Sequence, residues 1–152
     1  MSDTRDNALA AFERCFSQPG MLSEFGFSSA PVEFIPPTKV VGTSFKRTYF
    51  SPSGVIVEII FYPPPEMKGF FVVNIRNVHK DATFEIGNWL KFHKMAVKNS
   101  AFSLSNYVGS IDLQMSGFWD FLQSVFSDPI MREIIKGETW EDIPFDWTGI
   151  KS

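Results

Sequence analysis

The chain is poor in the residues that usually announce chemistry. Of its 152 residues only Cys15 is a cysteine, and only His79 and His93 are histidines. A lone thiol forms no intrachain disulfide, which excludes a disulfide-stapled scaffold. Two histidines without a CxxC or HExxH pattern do not supply the clustered donors of a metal centre. The glycines fall singly, with no GxGxxG and no GxxxxGK[ST], so the phosphate-cradling loops are missing. Ser53-Gly54 lies between two strand-like segments and not in the strand-to-helix GxSxG setting of a nucleophile elbow. Charge is sparse too. Charged residues make up 20% of the chain, with fourteen basic against seventeen acidic side chains and a net charge of −3. No basic stripe forms, so a sequence-independent grip on a nucleic-acid backbone is not expected. No window approaches the roughly 18 consecutive apolar residues of a spanning helix. The segment Met1 to Asn7 lacks the basic-then-apolar layout of a signal peptide. These absences lead to the expectation of a cytoplasmic chain with no cofactor, no direct nucleic-acid contact and no membrane contact.

What the chain has in excess is aromatic surface: seventeen phenylalanines, four tryptophans and three tyrosines. Its length suits a single domain over residues 1–152, large enough to bury a core without a staple. Residues from about Asp3 to Phe16 place Ala8, Leu9, Phe12, Cys15 and Phe16 at helical spacing. Cys15 on that stripe reads as a small buried apolar residue, since neither histidine is local enough to activate it. Gln18-Pro19-Gly20 ends the helix, Met21 to Phe25 adds a turn that Gly26 caps, and Ser28 to Pro31 reads as a linker.

The middle third changes period. Val32 to Ile35 is a short strand, a run from Lys39 to Phe50 follows, and Ser51-Pro52-Ser53-Gly54 makes a turn. Val55 to Tyr62 and Phe70 to Arg76 are β-branched and aromatic, and the proline-rich stretch 63–69 separates them. Alternation places Val55, Val57, Ile59 and Phe61, with Phe71, Val73 and Ile75, on a face turned towards the helices. The opposite face is also rather apolar, which fits either a sheet covered on both sides or a sticky outer face. Beyond a polar stretch from Asn77 to Ala82, the segment Thr83 to Met95 reads as a helix with Ile86, Trp89, Leu90 and His93 on one stripe, weakened by Gly87. Ser105 to Phe126 carries the clearest helical stripe, from Val108 and Ile111 through Met115, Phe118, Trp119 and Leu122 to Phe126. Asp128 caps a last helix with Pro129 at its first position, and Gly137 closes it. The expected fold class is α+β: an antiparallel meander of three to four strands packed against N-terminal and C-terminal helices.

Candidate sites are few. His93 lies on an apolar stripe as a core or edge histidine, and His79 ends a strand. Phe70-Phe71 with Lys68, Phe45-Lys46-Arg47 and Tyr49-Phe50 have the residue types of a single-strand nucleic-acid platform. The RNP1 pattern is missing and the net charge has the wrong sign, so these rings are assigned to the core. The most distinctive segment is Trp140-Glu141-Asp142-Ile143-Pro144-Phe145-Asp146-Trp147, which alternates large anchors with carboxylates. It has two readings. One is a tail that docks its rings on its own domain; the other is a partner-binding surface of Trp140, Glu141, Asp142, Phe145, Asp146 and Trp147.

Over residues 20–76 the chain resembles small bacterial immunity proteins of contact-dependent toxin systems. The resemblance is carried by Glu24-Phe25-Gly26-Phe27 after a first helix, then by the meander phrase that runs from Thr48 through Ser53-Gly54 to Tyr62. It implies a protein that is not an enzyme and that binds a cognate toxin, such as a nuclease domain with a basic face, occluding its active site. A net acidic inhibitor suits such a partner, because complementary charge speeds encounter. The alternative is a small α+β enzyme or ligand-binding domain with a pocket between sheet and helices, lined by His93, Tyr62 or Tyr107.

Overall fold

The structure, a computed structural model, describes residues 2–17, 20–36, 43–63, 69–95 and 99–143. It is an α+β fold. Helix α1 spans Ser2–Cys15 and is followed by a 3-10 turn at Gly20–Phe25. Strands β1 (Ser28–Ser29), β2 (Glu33–Ile35), β3 (Ser44–Phe50), β4 (Val55–Tyr62), β5 (Phe70–Asn77) and β6 (Ala82–Glu85) come next. Helix α2 covers Ile86–Phe92, 3-10 turns lie at Asn99–Phe102 and Leu104–Asn106, and α3 (Ile111–Phe126) and α4 (Pro129–Ile135) complete the order.

All strand pairs are antiparallel. β3, β4, β5 and β6 form a four-stranded meander, and β1 and β2 both pair with the free side of β3. The expected meander is therefore present, with two short additions. Ser28 and Ser29, read from sequence as linker, pair with Phe50 and Tyr49.

Alternation along the strands sorts the faces as expected. Val55, Val57, Ile59 and Phe61 of β4 are buried, as are Phe71, Val73 and Ile75 of β5 and Phe45 and Tyr49 of β3. On this inner face most of the aromatic excess is consumed. Phe71 stacks on Phe118 of α3 with ring centroids 3.8 Å apart and planes 4° from parallel. Phe12 of α1 stacks on Phe61 at 5.7 Å, and Phe16, just beyond the helix end, meets Trp119 edge-on at 5.2 Å. Tyr49 lies parallel to Trp119 at 6.1 Å. Rings fill such a layer well because each removes a large apolar area from water and adds directional ring contacts.

The end of α1 is held by polar side chains from β3. A helix leaves its last four carbonyls without intrahelical donors. The Tyr49 hydroxyl donates to the Phe16 carbonyl at 2.8 Å, and the Ser17 hydroxyl donates to that of Arg14 at 3.0 Å. Arg47, only 8% exposed, points inwards beside Tyr49 and donates to the Ala30 carbonyl at 2.7 Å. On the surface Arg14 makes a two-pronged contact with Asp112 of α3, at 2.9 and 3.0 Å. Cys15 is partly buried, and burial, with Asp120 and Asp112 adding to it, pushes its thiol up to about 12. The sequence reading of Cys15 as a small buried apolar residue is met in part: it packs against the core but is only partly buried.

Two sequence expectations are corrected. Thr83, Phe84 and Glu85 belong to a strand and not to a helix: β6 pairs Ala82 to Glu85 with Asn77 to Asn74, and the helix begins at Ile86. The apolar spacing of Ile86, Trp89 and Leu90 governs only the segment after Glu85. The long helix expected from Ser105 begins at Ile111. Gly109 takes φ +105°, which no helix accommodates, and the Ser110 hydroxyl caps the new start by accepting from the Leu113 amide at 3.3 Å. Val108, placed on the apolar stripe by its spacing, lies before that break and is 88% exposed. The last helix matches its expected signals: Pro129 follows Asp128, whose carboxylate accepts from the Ile130 and Met131 amides at 2.9 and 3.2 Å.

Tyr49 gives a direct test of how α1 is fastened. Tyr49→Phe keeps the ring against Trp119 and removes only the hydroxyl. Urea unfolding is expected to show a loss of about 1–2 kcal/mol with an unchanged m-value, the usual cost of deleting one buried hydrogen bond.

Candidate functional site

The tail singled out from sequence is described as far as Ile143. Trp140 is half-buried and packs on Phe84 of β6, ring centroids 5.0 Å apart. Its indole N–H is buried with no hydrogen-bond partner among the described residues. Glu141 turns into its own domain. Its Oε1 accepts from the Trp89 indole N–H at 2.9 Å and contacts His93 Nε2 at 2.8 Å. Asp142 is exposed, whereas Phe145, Asp146 and Trp147 lie outside the described residues. The structure thus brings Trp140 and Glu141 together with Trp89 and His93 and engages both with the body of the protein. Of the proposed contact residues that are described, Asp142 alone stands free of such contacts.

This arrangement follows from α2. His93 is the C-cap residue of that helix, one turn after Trp89, so imidazole and indole share a face with centroids 4.4 Å apart. Both rings present an N–H donor in one direction, and a single carboxylate answers both. Sequence reasoning placed His93 on the apolar stripe correctly, but its partner is remote in the chain and no local pattern could have named it.

Between Trp140 and Ile143 the tail passes around the edge of the sheet. Trp140 rests on Phe84, which faces the inner layer, while Ile143 reaches side chains of the outer face. There it borders a cavity of about 240 Å³ lined by Asn74, Thr83, Phe84, Glu85, Asn88 and Ile143. Asn74 pairs with Glu85 across the ladder and Arg76 with Thr83, so Asn74, Thr83 and Glu85 all project outwards. The Glu85 carboxylate folds back over the start of α2 and accepts from the Gly87 and Asn88 amides at 2.8 and 3.2 Å. Gly87 is explained by that fold: a Cβ there would stand 2.8 Å from one carboxylate oxygen and 3.0 Å from the other. The residue that weakened the helical pattern is the one that lets the cap form.

The fold also alters the titration of the Glu85 carboxylate. Burial pushes it up, and its two amide donors and the charge of Lys91 pull it back only in part.

The remaining outer face is a graded surface. Tyr62 stacks on Phe70 at 4.8 Å, and the neighbouring pair Ile60 and Val72 extends this apolar corner. Thr48, Glu58, Asn74 and Glu85 form the next polar row across four strands, and Phe50, Ile56, Arg76 and Thr83 the row beyond it. Ile56, Glu58, Ile60 and Tyr62 are all half-buried, in contrast to the buried residues with which they alternate. Lys46 is engaged with Glu58 at 3.4 Å and Glu33 at 4.0 Å. The nucleic-acid platform considered from sequence is divided by the sheet: Phe45, Tyr49 and Phe71 point inwards, and outward Phe50 and Phe70 stand in different rows of the face. Of the other candidates, His79 lies against Gly54, and Tyr107 donates to the Ala101 carbonyl at 2.8 Å. Among the described residues no three His, Cys, Asp or Glu side chains are placed to hold a metal ion. No helix of the described residues is long and apolar enough to cross a membrane.

Comparison with known proteins finds no matching protein-family model, no matching curated protein and no matching solved structure.

Two measurements follow from this geometry. Glu141→Ala removes the common acceptor and leaves two donors at the protein edge. Trp emission and limited proteolysis are expected to report a loosened tail at a cost of about 1–3 kcal/mol, the penalty for orphaned donors, while Glu141→Gln keeps an acceptor and stays near wild type. Glu85 adds a pH dependence. Its folded-state value lies above the ordinary one, so the folded chain holds that proton more tightly and the contribution to stability is full at acid pH. It is lost as pH rises through the folded-state value. Unfolding measured from about pH 4 to about pH 7 should show the stability difference moving in favour of Glu85→Gln as pH rises.

Proposed function

We propose that this protein is an immunity protein, a toxin-neutralising inhibitor that binds a cognate bacterial toxin domain and occludes its active site. The observation that carries this reading is the outer face of the sheet. Half-exposed apolar pairs (Ile60 with Val72, Tyr62 with Phe70) flank a polar row that holds Glu58 and Glu85. Apolar anchors beside a polar row are the make-up of a recognition surface, and the acidic side chains suit a partner with a basic face. The resemblance over residues 20–76 to immunity proteins and the net charge of −3 support the same reading.

A pocketed enzyme or ligand-binding domain would need room between sheet and helices. That layer is taken up by the rings of Phe12, Phe16, Phe61, Phe71, Phe118 and Trp119, and the described cavities lie at the surface. Inhibition by surface contact asks for no such room.

The test is co-expression. The chain is produced together with the C-terminal domain of the secreted toxin encoded beside it, and survival is scored. Protection is expected, and Ile60→Asp with Val72→Asp should abolish it while leaving the fold intact by circular dichroism. A gene neighbourhood without a toxin, together with no protection, overturns the reading.

A further inference from the structure

We propose that the cavity at the β5–β6 edge is a receptor for one lysine or arginine side chain of the partner protein, with Glu85 as its counter-ion. This deepens the reading of the outer face as an interaction surface and rests on it. The cavity holds about 240 Å³, room for the end of one long side chain, and its lining is specific in kind. Glu85, Asn74, Asn88 and Thr83 each present an oxygen that can accept a hydrogen bond, and Phe84 and Ile143 supply apolar wall for an aliphatic stem. A lysine or arginine has that same division between stem and head.

The charge balance selects a cation over a neutral guest. Glu85 has its two oxygens on the Gly87 and Asn88 amides, and no ion pair joins it to Arg76, although Arg76 stands on the same face one row away. Two amide donors leave several acceptor sites on a carboxylate, which has about four in all. Lys91 acts on Glu85 from α2, but not strongly enough to offset the burial of the carboxylate. A half-buried carboxylate with spare acceptor capacity, in a cavity whose other polar lining is two amides and a hydroxyl, is completed by a charged donor. Asn74 also joins this cavity to Glu58 of the polar row, so a side chain docked here is in register with the apolar pairs proposed to anchor the partner.

Two variants separate the cavity from the fold. Glu85→Gln removes the charge and keeps one acceptor for the cap. Gly87→Ala expels the carboxylate from its seat, since the new Cβ would stand within 3.0 Å of both oxygens, while helix propensity offsets part of the lost cap.

The probe is agmatine, decarboxylated arginine, which carries the guanidinium at one end and an ammonium at the other, titrated into the full chain and followed by amide NMR, with N-butylacetamide as the uncharged control. Saturable shifts are expected at Gly87 and Asn88 and at the side-chain amides of Asn74 and Asn88. Glu85→Gln should weaken them about tenfold, the loss expected for one charge-assisted hydrogen bond. Gly87→Ala should weaken them as well. Shifts spread over every surface carboxylate, or unchanged in both variants, overturn the proposal. So does a several-fold gain in agmatine affinity in Lys151→Gln, which would assign the cavity to the chain's own lysine. Toxin protection is read separately. Protection that survives Glu85→Gln undiminished sinks the receptor and leaves the inhibitor reading standing, whereas agmatine binding without any protection does the reverse.

Discussion

The face-to-face contact of Phe71 with Phe118 sets the spacing on which the rest of this molecule depends. At 3.8 Å between nearly parallel rings it fixes how closely α3 approaches the sheet. α1 enters the same layer through Phe12 and Phe16, and Trp119 closes it against Tyr49. Because large rigid rings fill this space, the layer has few alternative packings, and removing any one ring leaves a void that its neighbours are too stiff to close. The polar contacts of Tyr49 and Arg47 then serve carbonyls that would otherwise be stranded beside an apolar layer. A single layer of rings also explains the asymmetry of the sheet. One face is spent on the core, and its alternate keeps partly exposed apolar side chains that the interior has no room for.

Much of this fold was legible in the chain because the strongest signals were local. The alternation of Val55 to Tyr62 and of Phe70 to Arg76 sorted inner from outer face residue by residue, and Asp128-Pro129 marked the start of α4 by capping chemistry alone. The failures came where one residue belongs to two patterns. Thr83, Phe84 and Glu85 precede a helical stripe directly, so their spacing merges with it, and only the pairing with Asn74 to Asn77 shows them as strand. Val108 continues the stripe of α3 by arithmetic, but Gly109 turns the chain before the helix begins. Hydrophobic periodicity says nothing about where a backbone changes direction.

The site was less legible than the fold, for a related reason. Composition drew attention to the tail, and Trp140 and Glu141 do make distinctive contacts, but with Phe84, Trp89 and His93 of their own domain. Anchors and carboxylates are the same residue types whether they hold a chain to itself or to another molecule. Glu85 escaped notice entirely. It is an ordinary residue in an ordinary strand, and its setting arises from the ladder that puts Asn74 beside it and from the glycine two positions on. Gly87 was the visible clue. A glycine early in a helix that ought to prefer alanine marks a place where another group needs the space.

The two short strands on the free side of β3 carry a consequence for how this protein can be recognised. β1 and β2, of two and three residues, occupy the row of hydrogen bonds that β3 would otherwise offer to a visiting peptide. At the opposite border β6 is four residues long, leads straight into α2 and is rounded by the tail. Strand addition, in which a guest extends a host sheet through main-chain bonds, needs a long open border. Among the described residues neither side of this sheet provides one. Along these described borders, a guest of the kind proposed above would meet side chains and not an open ladder, so its identity would be decided by shape and charge instead of by a backbone pattern that every polypeptide shares.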